Sequence, residues 1–160
     1  MIRGCRMGDG HGGVTLGSEI TGGVRNVFVE RCLLDSARLD YALRFKNNAQ
    51  RGGVLERIFV RDIEVGQVAK AVITVDYNYE EGAAGPYRPV FDTLVVERLR
   101  SGRAARALDL QGYPGAPIRN VLLRDCAFDG VAGPDVIHDV QALRFENVRV
   151  NGRPVAPPAA

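Results

Sequence analysis

The segment VRNVFVERC, residues 24–32, decides the fold because versions of it recur along the chain. The further copies are LERIFVRDI (55–63), FDTLVVERL (91–99), IRNVLLRDC (118–126) and QALRFENVRV (141–150). Each copy has an apolar anchor followed by apolar residues two and five positions later, and the anchors are Val27, Ile58, Leu94, Val121 and Leu143. The anchors lie 31, 36, 27 and 22 residues apart. Repeats at such spacings indicate a solenoid of stacked coils.

A second set of short apolar segments lies between these copies and predicts a second strand in each coil. The segments are VTLGS (14–18), ALRFK (42–46), AVITVD (71–76), RALDLQ (106–111) and DVIHDV (135–140). No stretch of ten or more residues has the apolar spacing of an amphipathic helix. The sequence therefore predicts an all-β, right-handed parallel β-helix of about four to five coils. A β-sandwich is the alternative, because it also has short strands at regular spacing. The tight hairpin signals that would join its strands are, however, scarce in this sequence.

The beginning of the chain has the sequence of an interrupted coil. Cys5 occupies the place that Cys32 and Cys126 occupy in their copies, but its anchor would fall before Met1. We therefore expect an N-terminally truncated β-helix. The three cysteines are expected to be small buried side chains stacked in a row, and a disulfide between Cys5 and Cys32 stays open.

The predicted domain organisation follows from the same repeat. Residues 1–153 are expected to form the C-terminal part of a larger parallel β-helix domain, and residues 154–160 a frayed tail rich in Pro and Ala. An incomplete first coil would leave strand edges and apolar positions near Ile2 and Cys5 uncovered. We therefore expect self-association through this N-terminal coil.

Composition narrows the classes of partner. The net charge is +2, from 21 basic and 19 acidic residues that are interspersed along the chain. The sequence has no cluster of basic residues, so a nucleic-acid partner is not expected. No apolar run reaches the roughly 18 residues of a membrane span. The sequence contains neither a C-x-x-C pair nor clustered acidic residues that would indicate a metal site, so no cofactor is expected.

The segment ALRFK carries the clearest candidate binding residues. Period two places Leu43 and Phe45 inward and Arg44 and Lys46 outward, roughly 6.6 Å apart at a rise of about 3.3 Å per residue. Two such cations suit a carboxylate or a phosphate, although an exposed pair is also ordinary solvated surface. Neighbouring strands add further outward polar groups, namely Thr74, Asp76, Asp109 and Gln111.

His11 and two tyrosines are the remaining candidates. His11 has glycine on both sides, which gives a ligand close access to the imidazole and to the backbone. A histidine in such a turn can equally be structural. Tyr77 and Tyr79 follow the strand AVITVD and suit stacking on a sugar ring, and the alternative for either is packing under the loop that follows.

These residues resemble a known family, the polygalacturonases of glycoside hydrolase family 28. The family has a G-H-G turn followed by a glycine stretch, matched here by residues 10–12 and 16–18. Its R-I-K strand, about thirty residues on, is matched by Arg44-Phe45-Lys46, with Phe in place of Ile at the inward position. A family tyrosine beyond the next strand matches Tyr77 or Tyr79.

The resemblance implies hydrolysis of α-1,4 bonds between galacturonic acids in pectin, with inversion and without a metal, by a secreted or periplasmic parent. It implies that His11 takes part in catalysis by orienting or tuning the acid–base carboxylates through hydrogen bonds. It also implies that Arg44, Lys46 and the tyrosine bind the uronate. The acidic N-T-D and D-D motifs of the family lie upstream of G-H-G, and only ten residues precede His11 here. We therefore expect negligible hydrolysis by this chain alone.

Two alternatives to this function stay open. One is a non-catalytic carbohydrate-binding or structural β-helix that keeps a cationic groove for uronates in an acidic polysaccharide. The other is a parallel β-helix lyase that recruits Ca²⁺, which the lack of clustered aspartates disfavours.

Overall fold

The computed structural model describes residues 1–158, which form thirteen β-strands. The strands are β1 Ile2–Arg3, β2 Arg6–Met7, β3 Val14–Leu16, β4 Val24–Leu34, β5 Tyr41–Lys46, β6 Val54–Val65, β7 Ala71–Asp76, β8 Val90–Ser101, β9 Arg106–Gln111, β10 Ile118–Phe128, β11 Val136–His138, β12 Val140–Val150 and β13 Arg153–Pro154. The described residues contain no helix, and so none that is long and apolar enough to cross a membrane.

The strands form two sheets, and both contribute side chains to one apolar core. One sheet has the order β1-β4-β6-β8-β10-β12-β13, with β2 also paired to β4, and the other has the order β11-β9-β7-β5-β3. Among the described strands, every pairing is parallel except the last one, between β12 and β13. The chain is therefore a parallel β-helix, as predicted, and the β-sandwich is excluded because its sheets would pair antiparallel strands.

The anchors of the repeated segment lie in one continuous row. The register pairs Val27 with Ile58, Ile58 with Leu94, Leu94 with Val121, and Val121 with Leu143. The three inner anchors are fully buried, and the outer two are half-buried because the register pairs each of them with an anchor on one side only. Stacking of like apolar side chains thus builds the core.

Each of the long strands β4, β6, β8, β10 and β12 contains two residues that have a left-handed backbone. One lies directly before the anchor and one lies four residues after it, with φ between 51° and 63°. Asn and Asp occupy several of these places, since they tolerate this conformation better than other non-glycine residues. The pairs are Asn26 and Arg31, Arg57 and Asp62, Thr93 and Arg98, Asn120 and Asp125, and Ala142 and Asn147.

The C-terminal segment folds back on the last coil. A turn at Asn151 and Gly152 lets β13 pair antiparallel with β12, and the Val155 amide donates to the Val148 carbonyl at 3.0 Å. The predicted frayed tail thus starts within a paired strand, and its residues 159–160 lie outside the described residues. The boundary at residue 153 stays a prediction.

The cysteines differ in burial. Cys32 and Cys126 are buried within the stack, whereas Cys5 is exposed on the first coil, and all three are free thiols. Burial raises the pKa of the Cys126 thiol to about 11, so this cysteine is an unreactive core side chain.

Candidate functional site

The sheet β11-β9-β7-β5-β3 is called the short-strand sheet, and the other sheet the long-strand sheet. The candidate site lies on the outer face of the short-strand sheet, where β5 places its two cations. Leu43 and Phe45 are buried, and the Phe45 ring lies 5.4 Å from the Phe91 ring across the core. Arg44 and Lys46 therefore point outward together, as the alternation predicts. The register adds neighbours on both sides of these cations, which are Thr15, Thr74, Asp76, Asp109 and Gln111.

The turn that carries His11 is fixed to the next coil by backbone hydrogen bonds. The Gly10 amide donates to the Arg38 carbonyl at 3.0 Å, and the Asp40 amide donates to the Gly10 carbonyl at 2.8 Å. The Arg44 guanidinium then donates to the His11 carbonyl at 3.1 Å. The structure thus brings His11 and Arg44 together, although 33 residues separate them.

Gly12 is needed at this turn because the Thr15 and Arg44 side chains lie directly beside it. A Cβ at this position would clash with the Thr15 hydroxyl and would lie 3.1 Å from Arg44 Cβ. The glycine after His11 therefore lets the turn approach the cation closely.

The His11 ring projects into solvent, and its side-chain contact is with a carboxylate. The side chain is 89% exposed, and Nδ1 lies 3.2 Å from Asp40 Oδ2. Lys70 Nζ donates to the same Asp40 oxygen at 3.1 Å. Burial on its own would raise the pKa of Asp40, but the hydrogen bonds from His11 and Lys70 outweigh burial and lower this pKa below 3.8. The Asp40 carboxylate is therefore ionised at neutral pH.

Two aromatic rings flank the cations. Lys46 Nζ lies 4.1 Å from the centre of the Tyr79 ring, and Arg44 Cζ lies 5.6 Å from the same centre. Arg44 Cζ also lies 5.0 Å from the centre of the Tyr41 ring. At these distances the ring faces attract the cations and hold their side chains in place.

Tyr77 lies elsewhere. It is 1% exposed, and its ring contacts the Tyr113 ring edge-on, with 5.4 Å between their centres. The Tyr113 hydroxyl donates to the Tyr77 carbonyl. The structure therefore places Tyr79 at the candidate site and Tyr77 in the core, where a ligand does not reach its ring.

The electrostatics of the face favour an anion next to β5. Among the described residues, neither Arg44 nor Lys46 has a salt-bridge partner. Burial lowers the pKa of Lys46, and the charge of Arg44 lowers it further. The charges of Glu80 and Asp76 offset this lowering only in part. A bound carboxylate would therefore further stabilise the charged form of Lys46.

The neighbouring acids differ from one another. Burial raises the pKa of Asp76, and the nearby Asp109 raises it further. Asp109 is held by a hydrogen bond from the Gln111 amide at 2.7 Å. Within residues 1–158, no group of three or more His, Cys, Asp or Glu side chains could hold a metal ion.

Three charged or aromatic residues of the site are not among the sequence-based candidates: Asp40, Tyr41 and Lys70. The available signal was weak, since Tyr41 directly precedes ALRFK while Asp40 and Lys70 lie in the connections between strands. Placing these connections beside His11 requires the register between coils.

Comparisons with known proteins agree with this geometry. No protein-family model matches the chain, and a search of curated proteins finds no match. Among solved structures, the chain is similar to the crystal structure of a hyperthermoactive exopolygalacturonase from Thermotoga maritima, with a TM-score of 0.84 and 30% sequence identity. The similarity covers 92% of this chain and 34% of that one, so the chain spans about a third of the enzyme's length. The chain therefore has a polygalacturonase-like parallel β-helix fold.

Proposed function

We propose that this chain supplies the uronate-binding wall of a polygalacturonase-type glycosidase, which hydrolyses α-1,4-galacturonosyl bonds in pectin by inversion. The observation that carries this proposal is the cation pair Arg44 and Lys46, which has no salt-bridge partner among the described residues. Both cations lie against the ring of Tyr79, and Arg44 also bonds the His11 carbonyl. The likeness to an exopolygalacturonase supports the choice of an acidic sugar over a phosphate.

Each group has a distinct part in binding one galacturonic acid residue. The Arg44 guanidinium offers parallel N–H donors to the sugar carboxylate, and the Lys46 ammonium offers a second positive charge. The Tyr79 ring provides an apolar platform for the sugar face. The exposed His11 ring contacts the bond to be cleaved or the acids that act on it.

Hydrolysis with inversion needs two further carboxyl groups about 6.5 to 9.5 Å apart, one of them able to donate a proton. The aspartates nearest His11 do not suit this role. Asp9 is held by Arg38 and Ser36, and Asp40 is held by His11 and Lys70. The pKa of Asp40 is lowered by its hydrogen bonds from His11 and Lys70, so this carboxylate is a poor proton donor. The proposal therefore assigns acid–base catalysis to residues outside this chain.

Binding of trigalacturonate to the purified chain tests the proposal. By calorimetry, Arg44→Gln and Lys46→Gln are each expected to weaken binding about tenfold or more, the loss typical of one charge-assisted hydrogen bond. Arg100→Gln is the matched control, since Arg100 is an exposed cation on the other sheet. The methyl-esterified trimer should bind more weakly than the acid.

Two results would overturn the proposal. The first is equal binding of the acid and its methyl ester, because the cations would then have no part in recognition. The second is release of reducing ends from polygalacturonate by this chain alone. If Asp76→Asn abolished that activity, the general acid would lie on this face, where Asp76 has a raised pKa.

A further inference from the structure

Asp40 lies between two coils and is fixed from both. Its amide donates to the Gly10 carbonyl on one side at 2.8 Å, and its carbonyl accepts from the Lys70 amide on the other side at 2.8 Å. Its side chain is 23% exposed and accepts from the Lys70 ammonium at 3.1 Å. The carboxylate is therefore held in place before any ligand arrives.

His11, in contrast, has a fixed backbone and a free side chain. With 89% of its side chain exposed, the ring would rotate between staggered positions unless a contact selected one. The contact in the structure is Nδ1 to Asp40 Oδ2 at 3.2 Å. This contact therefore sets the ring orientation.

The same contact sets the position of the ring proton. An ionised carboxylate only accepts hydrogen bonds, so the imidazole must carry its proton on Nδ1 to bond Asp40. In the neutral ring, Nε2 is then an acceptor that faces away from Asp40. In the charged ring, both nitrogens donate and the carboxylate balances the added charge.

From this geometry we propose that Asp40 is a positioning residue for His11. It holds the imidazole by Nδ1 and keeps Nε2 directed toward the ligand, and Lys70 holds Asp40 in turn. The inference rests on the proposed function for the identity of that ligand, a galacturonic acid residue on Arg44 and Lys46.

Other charges near the ring are the Arg44 guanidinium, at the His11 carbonyl, and the Lys70 ammonium. Asp9, earlier in the same turn, is engaged by Arg38.

The first test observes the histidine without any ligand. The ¹⁵N shifts of the His11 ring at neutral pH are expected to show the Nδ1–H tautomer in the wild-type chain and a mixture of tautomers in Asp40→Ala. Asp40→Asn keeps the volume and is the second variant in case the alanine variant does not fold. Asp9→Ala is the matched control, since this neighbouring aspartate contacts Arg38 and Ser36 instead of the ring. An unchanged tautomer in both Asp40 variants would overturn the inference, and so would an equal change in Asp9→Ala.

The second test asks whether Asp40 acts through His11. Asp40→Asn is expected to weaken trigalacturonate binding about fivefold, and to have no further effect in a His11→Ala background. Additive effects in this double-mutant cycle would mean that Asp40 does not act through the ring. If the wild-type chain did not bind galacturonate, the proposed function would fail, while the tautomer measurement would still decide the role of Asp40.

Discussion

Tyr77 and Tyr79 are separated by one residue, and their rings have opposite environments. Continued period two after β7 would point both side chains the same way. The chain departs from this period where the Asn78 amide donates to the Asp76 side chain at 2.8 Å, forming an Asx turn at the strand end. Tyr77 thus stays in the core, and Tyr79 turns out over Lys46. The sequence alone could not separate the two tyrosines because Asp and Asn form such turns only in some contexts.

Alanine substitutions should separate the two tyrosines by their effects. Tyr77→Ala removes a fully buried ring, and we expect it to lower the free energy of unfolding by about 3–5 kcal/mol. Tyr79→Ala should leave stability nearly unchanged and weaken trigalacturonate binding, because the ring over Lys46 and Arg44 is lost. Urea denaturation and calorimetry measure the two effects. Tyr87→Ala, which removes an exposed ring, is the control for both. A Tyr79 variant with normal affinity would contradict the assignment.

Side chains at equivalent positions of successive long strands stack in rows. These rows explain how much of the fold can be predicted from the sequence. Apolar anchors recur at fixed offsets within each copy, so the long strands and their register follow from the sequence. The connections vary in length and have no such pattern. Asp40 and Lys70 lie in these connections. The sequence therefore predicts a site of His11, Arg44, Lys46 and the tyrosines without the carboxylate that contacts the ring.

A second row on the long-strand sheet consists of charges that alternate in sign. It is built from Arg3, Glu30, Arg61, Glu97, Arg124 and Glu146, which face one another in register. Arg61 donates to Glu30 at 2.8 Å, and Arg124 donates to Glu97 at 2.8 Å and to Glu146 at 2.6 Å. If a coil paired with the next coil but one, like charges would face each other, as with Glu30 and Glu97. The row therefore favours the observed pairing of coils.

Glu30→Gln tests this row through pH. The hydrogen bond from Arg61, together with Arg3, holds the pKa of Glu30 below its ordinary value of 4.5 despite burial. A carboxyl whose pKa is lowered on folding stabilises the protein above its unfolded pKa, and this contribution disappears as the pH falls through the folded pKa. We therefore expect Glu30→Gln to melt below the wild type at pH 7, and the gap to shrink at pH values below about 4.5.

Thermal melts from pH 7 to pH 3 measure this gap. Glu64→Gln is the control, since Glu64 is an exposed carboxylate on the same sheet outside the row and, in the part of the chain that the structure describes, forms no salt bridge. A gap between Glu30→Gln and wild type that stayed constant down to pH 3 would count against the ion pairs.

At the scale of the whole molecule, the two ends of the stack differ. At the C-terminal end, β13 folds back on β12 in an antiparallel hairpin. At the other end, β1 and β2 pair with β4 and β3 pairs with β5, so within residues 1–158 their outer edges are unpaired. Because unpaired strand edges accept further strands, contacts between copies of the chain should form at this end. The candidate site lies nearby, since Thr15 of β3 is the direct neighbour of Arg44.

We therefore expect this chain to self-associate through its first coil, with a mass that rises with concentration in light scattering. Ile2→Lys places a charge on the edge strand β1 and should shift the chain toward monomer, because a lysine on an edge opposes strand addition. Val155→Lys adds the same charge at the opposite end and should leave the association unchanged. Association would also crowd the face beside β3, so trigalacturonate should bind the Ile2→Lys monomer at least as tightly as the wild-type chain. A wild-type monomer at every concentration, or equal suppression by both lysines, would show that the first coil is not the contact.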